Sequence, residues 1–211
     1  MRSATDAIIL CGGRSRRMGR SKADLPFDGV SLLMRVVARL AEEVERVVLV
    51  AGMDQVLPAP PVGVGVIVVR DAVADRGPLT ALATGLAALP TDSEVVYATS
   101  TDAPFLARGW IALLVGYLEG HDAAAPRIEG RRFPLAAVYR PRVAREAAEE
   151  LLARGELRLT SLLDSLRTRD LGVDELRIVD PDLATLCNLN TPMDYERALR
   201  LLEHGRHAVE E

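Results

Sequence analysis

The chain reads as an α/β protein built on a mostly parallel sheet. Two features predict this. Its main apolar runs are continuous rather than alternating, the pattern of strands buried on both faces. Those runs are separated by segments of helical periodicity, in the order β-α-β-β-α-β-α through about residue 118.

The first strand is expected over 6–11, followed by a long loop, 12–30, rich in Gly, Arg and Ser. Leu32, Leu33, Val36, Val37, Leu40 and Val44 then fall at helical spacing behind Ser31, a ready N-cap. Arg46 to Ala51 is a second buried strand ended by Gly52, and the prolines at 58, 60 and 61 mark a surface connection. Val64 to Val69 is a third strand with Asp71 just past its end, and Gly77-Pro78 opens an Ala/Leu-rich helix to about 89. Glu94 to Thr99 is a fourth strand, leading into Ser100-Thr101-Asp102-Ala103-Pro104, and a helix follows over 108–118.

The second half is less regular. Strands are expected at 122–128 and 134–139 around the basic turn Glu129-Gly130-Arg131-Arg132, helices at 141–153 and 160–167, and a strand near 175–179. Thr191, Pro192 and Asp194 stand at N-cap, N1 and N3 of a last helix to about 203.

With 211 residues, 49% hydrophobic, the chain suits one domain with a real core. A net charge of −4 argues against a nucleic-acid binder. Two cysteines, Cys11 and Cys187, are too few for a disulfide framework, and Cys11 suits a small packed residue. No apolar run is long enough for a membrane span or a signal peptide, so a cytoplasmic protein is expected. His121, His204 and His207 lack ligand spacing.

Charge is not spread evenly. Residues 1–22 hold five arginines and Lys22 against one acid, Asp6, an edge suited to a small anionic ligand. Lys22 is the sole lysine among 26 basic residues. In so arginine-rich a chain, a retained lysine points to a site that needs a compact ammonium rather than a planar fork, although composition alone could leave one.

Ligands of open parallel sheets bind beyond the carboxyl ends of the strands. Three signals stand there. Gly12 and Gly13 let backbone amides approach an anion, with Arg17 and Lys22 adding charge; the spacing is neither a Walker loop nor a dinucleotide fingerprint. Asp71, with Gly77-Pro78, suits a base edge or ribose, or is a plain strand-to-helix turn. Asp102, beside Pro104, suits Mg²⁺ held by one carboxylate and substrate phosphates, or is a simple turn cap. Asn188 and Asn190 precede the last helix as hydrogen-bonding amides or as turn formers. Together these features suggest nucleotide transfer to a phosphorylated acceptor.

Leu10-Cys11-Gly12-Gly13-Arg14-Ser15-Arg16-Arg17-Met18-Gly19 with Lys22 resembles the L-x-G-G-x-S-x-R-M-G-x-x-K signature of nucleotidyltransferases with a three-layer, glycosyltransferase-A-like Rossmann fold. Asp71 with Gly77-Pro78-Leu79, Thr101-Asp102-Ala103-Pro104 and Asn188-Leu189-Asn190-Thr191-Pro192 resemble the molybdenum cofactor guanylyltransferase (MobA) subgroup. The resemblance implies GMP transfer from GTP, with Mg²⁺, to the molybdopterin cofactor, with release of pyrophosphate. It implies one domain over 1–211, with a nucleotide-binding half at about 1–120 and an acceptor-binding half at about 121–205. By position, Leu10, Cys11, Gly12, Gly13, Lys22, Asp71, Gly77 and Asp102 would bind nucleotide. Lys22, Asp102 and Arg17 would serve catalysis, Asp102 the metal, and Asn188 and Asn190 the pterin.

A monomer is expected, with at most transient contact to molybdoenzymes or cofactor-delivery proteins. Three departures stand out: Ala81 where the family usually has a second helix glycine, Thr101 where it usually has a cysteine, and no clear equivalent of its amide after the second strand, where Ala51-Gly52 stand. The related cytidylyltransferases tend to have Ala-Gly where this chain has Gly12-Gly13, so the resemblance implies GTP rather than CTP. The alternatives are a sibling enzyme with CTP or another phosphorylated acceptor, or a catalytically weak nucleotide-binding relative.

Overall fold

A computed structural model of the chain describes residues 5–12, 21–59, 65–71 and 77–207, with side chains as far as 202. The strands are β1 (Thr5–Leu10), β2 (Pro26–Phe27), β3 (Val30–Ser31), β4 (Arg46–Gly52), β5 (Gly65–Asp71), β6 (Val95–Ser100), β7 (Ala123–Ile128), β8 (Arg131–Arg132), β9 (Ala137–Tyr139) and β10 (Thr168–Leu171). The helices are α1 (Leu32–Ala41), α2 (Pro78–Ala87), α3 (Trp110–Gly116), α4 (Pro141–Ala153), α5 (Leu159–Ser165), α6 (Val173–Leu176) and α7 (Pro192–His207).

The main sheet has the order β10-β7-β9-β6-β1-β4-β5, with β8 also paired to β7. Strand β9 runs antiparallel between β6 and β7, whereas β1 pairs in parallel with both β4 and β6. The chain therefore builds outward from β1 in one direction, to β4 and β5, and then returns to add β6 on the other side. That reversal puts the topological switch point at the carboxyl ends of β1 and β6.

Every residue of β1 is buried, as its continuous apolar run predicts. Its side chains alternate between two cores. Ala7, Ile9 and Cys11 pack with Leu33, Val36, Val37 and Leu40 of α1 and Trp110 and Leu114 of α3. Ile8 and Leu10 pack on the other face with Leu79, Leu82 and Leu86 of α2 and Leu162 and Leu163 of α5. The result is three layers. Ser31 caps α1 as expected, its hydroxyl accepting from the Met34 amide at 3.3 Å.

The structure corrects several local expectations. The loop expected over 12–30 carries the β2–β3 hairpin, and of the strand expected over 134–139 only Ala137–Tyr139 forms, after a 3-10 turn, Pro134–Ala136. Residues 173–176 are helix α6, not part of a strand over 175–179; the Glu175 carboxylate accepts from the Gly172 amide at 2.8 Å and sets the helix start. The strand of this region is β10, Thr168–Leu171, whose polar edge sequence hides it. Asp71 is the last residue of β5, paired with Gly52, rather than a residue beyond it.

Candidate active site

Gly13 and Arg17 lie outside the described residues. The rest of the opening segment is placed from its two ends. Leu10 closes β1 opposite Ser100 of β6, and the Cys11 amide donates to the Val50 carbonyl at 2.8 Å, so Cys11 and Gly12 leave the sheet at the switch point. Cys11 itself is a packing residue: burial pushes its thiol up to about 12, far from nucleophilic range. Lys22 starts a single 3-10 turn, Lys22–Asp24, in which buried Ala23 is the anchor and turns its neighbours outward.

Asp102 follows β6. The Thr101 amide donates to the Leu10 carbonyl at 3.3 Å, and the Ala103 amide to the Ser100 carbonyl at 3.3 Å, so this turn is tied to β1. Lys22 Nζ lies 2.9 Å from Asp102 Oδ2 and 3.5 Å from Asn190 Oδ1. The other carboxylate oxygen, Oδ1, accepts the Ser100 hydroxyl at 2.5 Å. Both charged side chains are largely covered, with 21% of Lys22 and 17% of Asp102 exposed.

Asn190 reaches Lys22 because its loop is fixed twice. The Leu189 amide donates to the Asp102 carbonyl at 2.8 Å. Thr191 and Asp194 then cap α7 reciprocally, the Thr191 hydroxyl accepting from the Asp194 amide at 3.1 Å and the Asp194 carboxylate from the Thr191 amide at 2.8 Å. The hydrogen bonds from Thr191 hold the Asp194 carboxyl below its usual range, with Lys22 a smaller influence. A small apolar cluster packs this loop and helix onto the β2–β3 hairpin: Leu25, Phe27, Leu32, Leu189 and Ala198, with Phe105 and Tyr195 at its edge. Phe27 meets Phe105 edge-on at 5.8 Å.

Lys22, Asp102 and Asn190 are thus brought together. Leu10 ends β1, the strand beside β6 and Asp102, and Cys11 and Gly12 follow it. Asp71 ends β5, two strands from β1 in the sheet order and roughly 10 Å across at ordinary strand spacing. Gly77 is the N-cap of α2 with φ +89°, a left-handed conformation that favours glycine, and an added Cβ there would stand 3.5 Å from the Leu157 carbonyl oxygen. Asn188 is exposed two residues before Asn190.

Two polar residues escaped the sequence reading. Ser100 orients Asp102; its signal is a hydroxyl ending an apolar strand two residues before a carboxylate. Gln55 is an amide three residues past β4. Its Nε2 donates to the Cys11 carbonyl at 3.0 Å and its Oε1 accepts from the Gly52 amide at 3.2 Å. Arg70 braces the same turn by donating to the Gly52 and Gln55 carbonyls at 3.0 and 2.5 Å.

The donor set suits a hard divalent cation. Among the described residues no three His, Cys, Asp or Glu side chains converge. An ion at Asp102 would therefore take one protein carboxylate and oxygens of its ligand, the habit of Mg²⁺ at phosphates.

Residues 7–170 match the family model for the MobA-like NTP transferase domain. The chain belongs to that family. It is 32% identical over 205 residues to the molybdenum cofactor guanylyltransferase of Desulfosudis oleivorans, covering 96% of this chain and 98% of that protein. In fold it is similar to molybdopterin-guanine dinucleotide biosynthesis protein A from Archaeoglobus fulgidus, with a TM-score of 0.76 and 22% identity over 94% of this chain and 99% of that one. A Mycobacterium tuberculosis protein solved in complex with manganese has the same fold, with a TM-score of 0.61 and 19% identity over 94% and 99% of the two chains. Members of the family are nucleotidyltransferases.

Proposed function

We propose that the protein transfers GMP from GTP to the terminal phosphate of the molybdopterin-type molybdenum cofactor. The observation that carries this reading is the Lys22–Asp102–Asn190 constellation, in which one ammonium joins a carboxylate at the switch point to an amide from the far end of the chain. An acceptor phosphate is already anionic and needs no strong base. Its oxygen forms the new bond to the α-phosphorus of GTP as the bond to the bridging oxygen breaks, and pyrophosphate leaves with that electron pair. The protein's contribution is placement and charge neutralisation.

In this reading Leu10, Cys11 and Gly12 present backbone to the nucleotide, Gly13, Arg17 and Lys22 hold the triphosphate, and Asp71 and Gly77 border the nucleoside. Asp102 would hold the divalent cation, Mg²⁺ by choice, which when bound offsets charge on the phosphates. Asn188 and Asn190 face the pterin. Residues 1–120 form the donor half and 121–205 the acceptor half of one domain. The substrates are small molecules, and the protein acts as a cytoplasmic monomer with transient contact to cofactor-using or cofactor-carrying proteins. No described helix is long and apolar enough to cross a membrane.

The test is a transfer assay with GTP, Mg²⁺ and molybdenum-loaded molybdopterin. Pyrophosphate and the guanine dinucleotide cofactor are expected in equal amounts. Transfer of CMP from CTP in preference to GMP, or no pyrophosphate with either nucleotide, would overturn the proposal.

A further inference from the structure

Asp102 is the carboxylate proposed to hold a cation, yet both its oxygens are engaged: Oδ2 by Lys22 at 2.9 Å and Oδ1 by the Ser100 hydroxyl. A Mg²⁺ ion binds oxygen at roughly 2.0–2.1 Å, and an ammonium in contact with the same carboxylate oxygen would repel a divalent cation at close range. The pair is mostly covered, so water screens that repulsion poorly.

We propose that Lys22 is the stand-in counter-ion of Asp102, and that the nucleotide's phosphates free the carboxylate for a cation by drawing the ammonium away. This rests on the reading of Asp102 as the cation's carboxylate. Asn190 Oδ1, 3.5 Å from Nζ, gives the ammonium a second acceptor as it moves. Cation and nucleotide then bind with positive coupling, each raising the affinity of the other by the same factor. The exchange also accounts for the single lysine. An ammonium takes one carboxylate oxygen and leaves readily, whereas a guanidinium would clamp both oxygens as a planar fork.

The test is Mn²⁺ titration of the full-length protein, followed by electron paramagnetic resonance with and without GTP, on variants shown to be folded by circular dichroism. Without nucleotide, Lys22→Gln should bind Mn²⁺ roughly tenfold more tightly than wild type, because a covered positive charge has been removed from its site. Lys22→Met should do the same, and Lys22→Arg should bind no more tightly than wild type. Adding Asp102→Asn to Lys22→Gln should abolish the gain. If neither neutral variant tightens binding while Asp102→Asn weakens Mn²⁺ binding with GTP present, the exchange is wrong and Asp102 stands as the ligand. An Arg variant as tight as the Gln variant also overturns the exchange. If Asp102→Asn changes Mn²⁺ affinity in neither background, with or without GTP, the ligand reading itself fails.

Discussion

The site depends on how its charged groups are held. Asp102 is oriented through one hydroxyl, that of Ser100, and one ammonium, that of Lys22. Asp102→Asn keeps the size and one acceptor oxygen but turns the other into a donor and removes the charge that a cation needs. Transfer should fall below detection while the melting temperature stays near that of wild type; near-normal turnover would remove Asp102 from the metal site. Ser100→Ala leaves the carboxylate charged but free to turn. A hydrogen bond to a charged group contributes about 1.5 kcal/mol, so kcat should fall roughly tenfold. Ser100→Thr, which keeps the hydroxyl, should restore most of it. Equal loss in both variants would mean that packing, not the hydroxyl, matters. Lys22 was the residue most exposed by composition, because it alone breaks an all-arginine habit. Ser100 and Gln55 carried no such mark. Their importance depends on where a neighbouring strand ends, and a residue-by-residue reading does not contain that.

The elements are joined by contacts of two kinds. Helix α2 lies directly on β1 and β4 at Gly85, where an added Cβ would stand 2.8 Å from Ile8 Cγ2 and 2.9 Å from Val50 Cγ2. Branched side chains of buried strands cannot retreat. Gly85→Ala should therefore destabilise the protein by about 1–3 kcal/mol, read by denaturant unfolding, despite alanine's better helix propensity. Ala81 lies one turn earlier in the same helix, partly buried against the same core.

The start of β7 is fastened to the start of β10 electrostatically. The Asp122 carboxylate accepts from Arg167 Nε and Nη2 at 2.9 and 3.0 Å and from the Arg167 amide at 3.2 Å. These bonds, the side-chain ones foremost, hold the Asp122 carboxyl below its ordinary value, against its own burial. A depressed folded-state pKa adds stability above the ordinary Asp value of about 3.9 that is lost as pH falls through the lower, folded value. The melting-temperature gap between wild type and Asp122→Asn should be widest near neutral pH and should close as the pH is lowered past 4. A gap independent of pH would assign the effect to packing. Helix boundaries in this half were legible wherever an apolar stripe or a Pro start marked them, as in α4. The error at 173–179 arose because Glu175-Leu176-Arg177-Ile178-Val179 alternates like a strand, while Gly172 and Glu175 supply a helix start that outweighs the alternation.

For the whole molecule, the decisive property is which nucleotide it stabilises against. A ligand that binds only the folded state raises its stability by about 2.7 kcal/mol at a hundredfold excess over Kd, enough to lift the melting temperature of a chain this size by roughly 5–10 °C. GTP with Mg²⁺ should produce that shift; CTP, ATP and UTP should not. A larger response to CTP would move the protein to the cytidylyl branch, and no response to any nucleotide would favour a role without catalysis.

The sequence by itself determined the main-sheet strands and the helices of the first half, though not the β2–β3 hairpin inside the expected loop, together with the α/β class and the identity of Lys22, Asp102 and the amide pair as candidates. Those features are local, since continuous apolar runs, glycine breaks and capping residues act within one element. Tertiary structure alone decided their meeting. Lys22 and Asp102 are 80 residues apart and Lys22 and Asn190 are 168 apart. They are joined only because the chain reverses direction across β1 and because an apolar cluster under Phe27 draws the last helix onto the opening hairpin. Contacts at such separations are set by strand order and core packing, which depend on the whole chain at once.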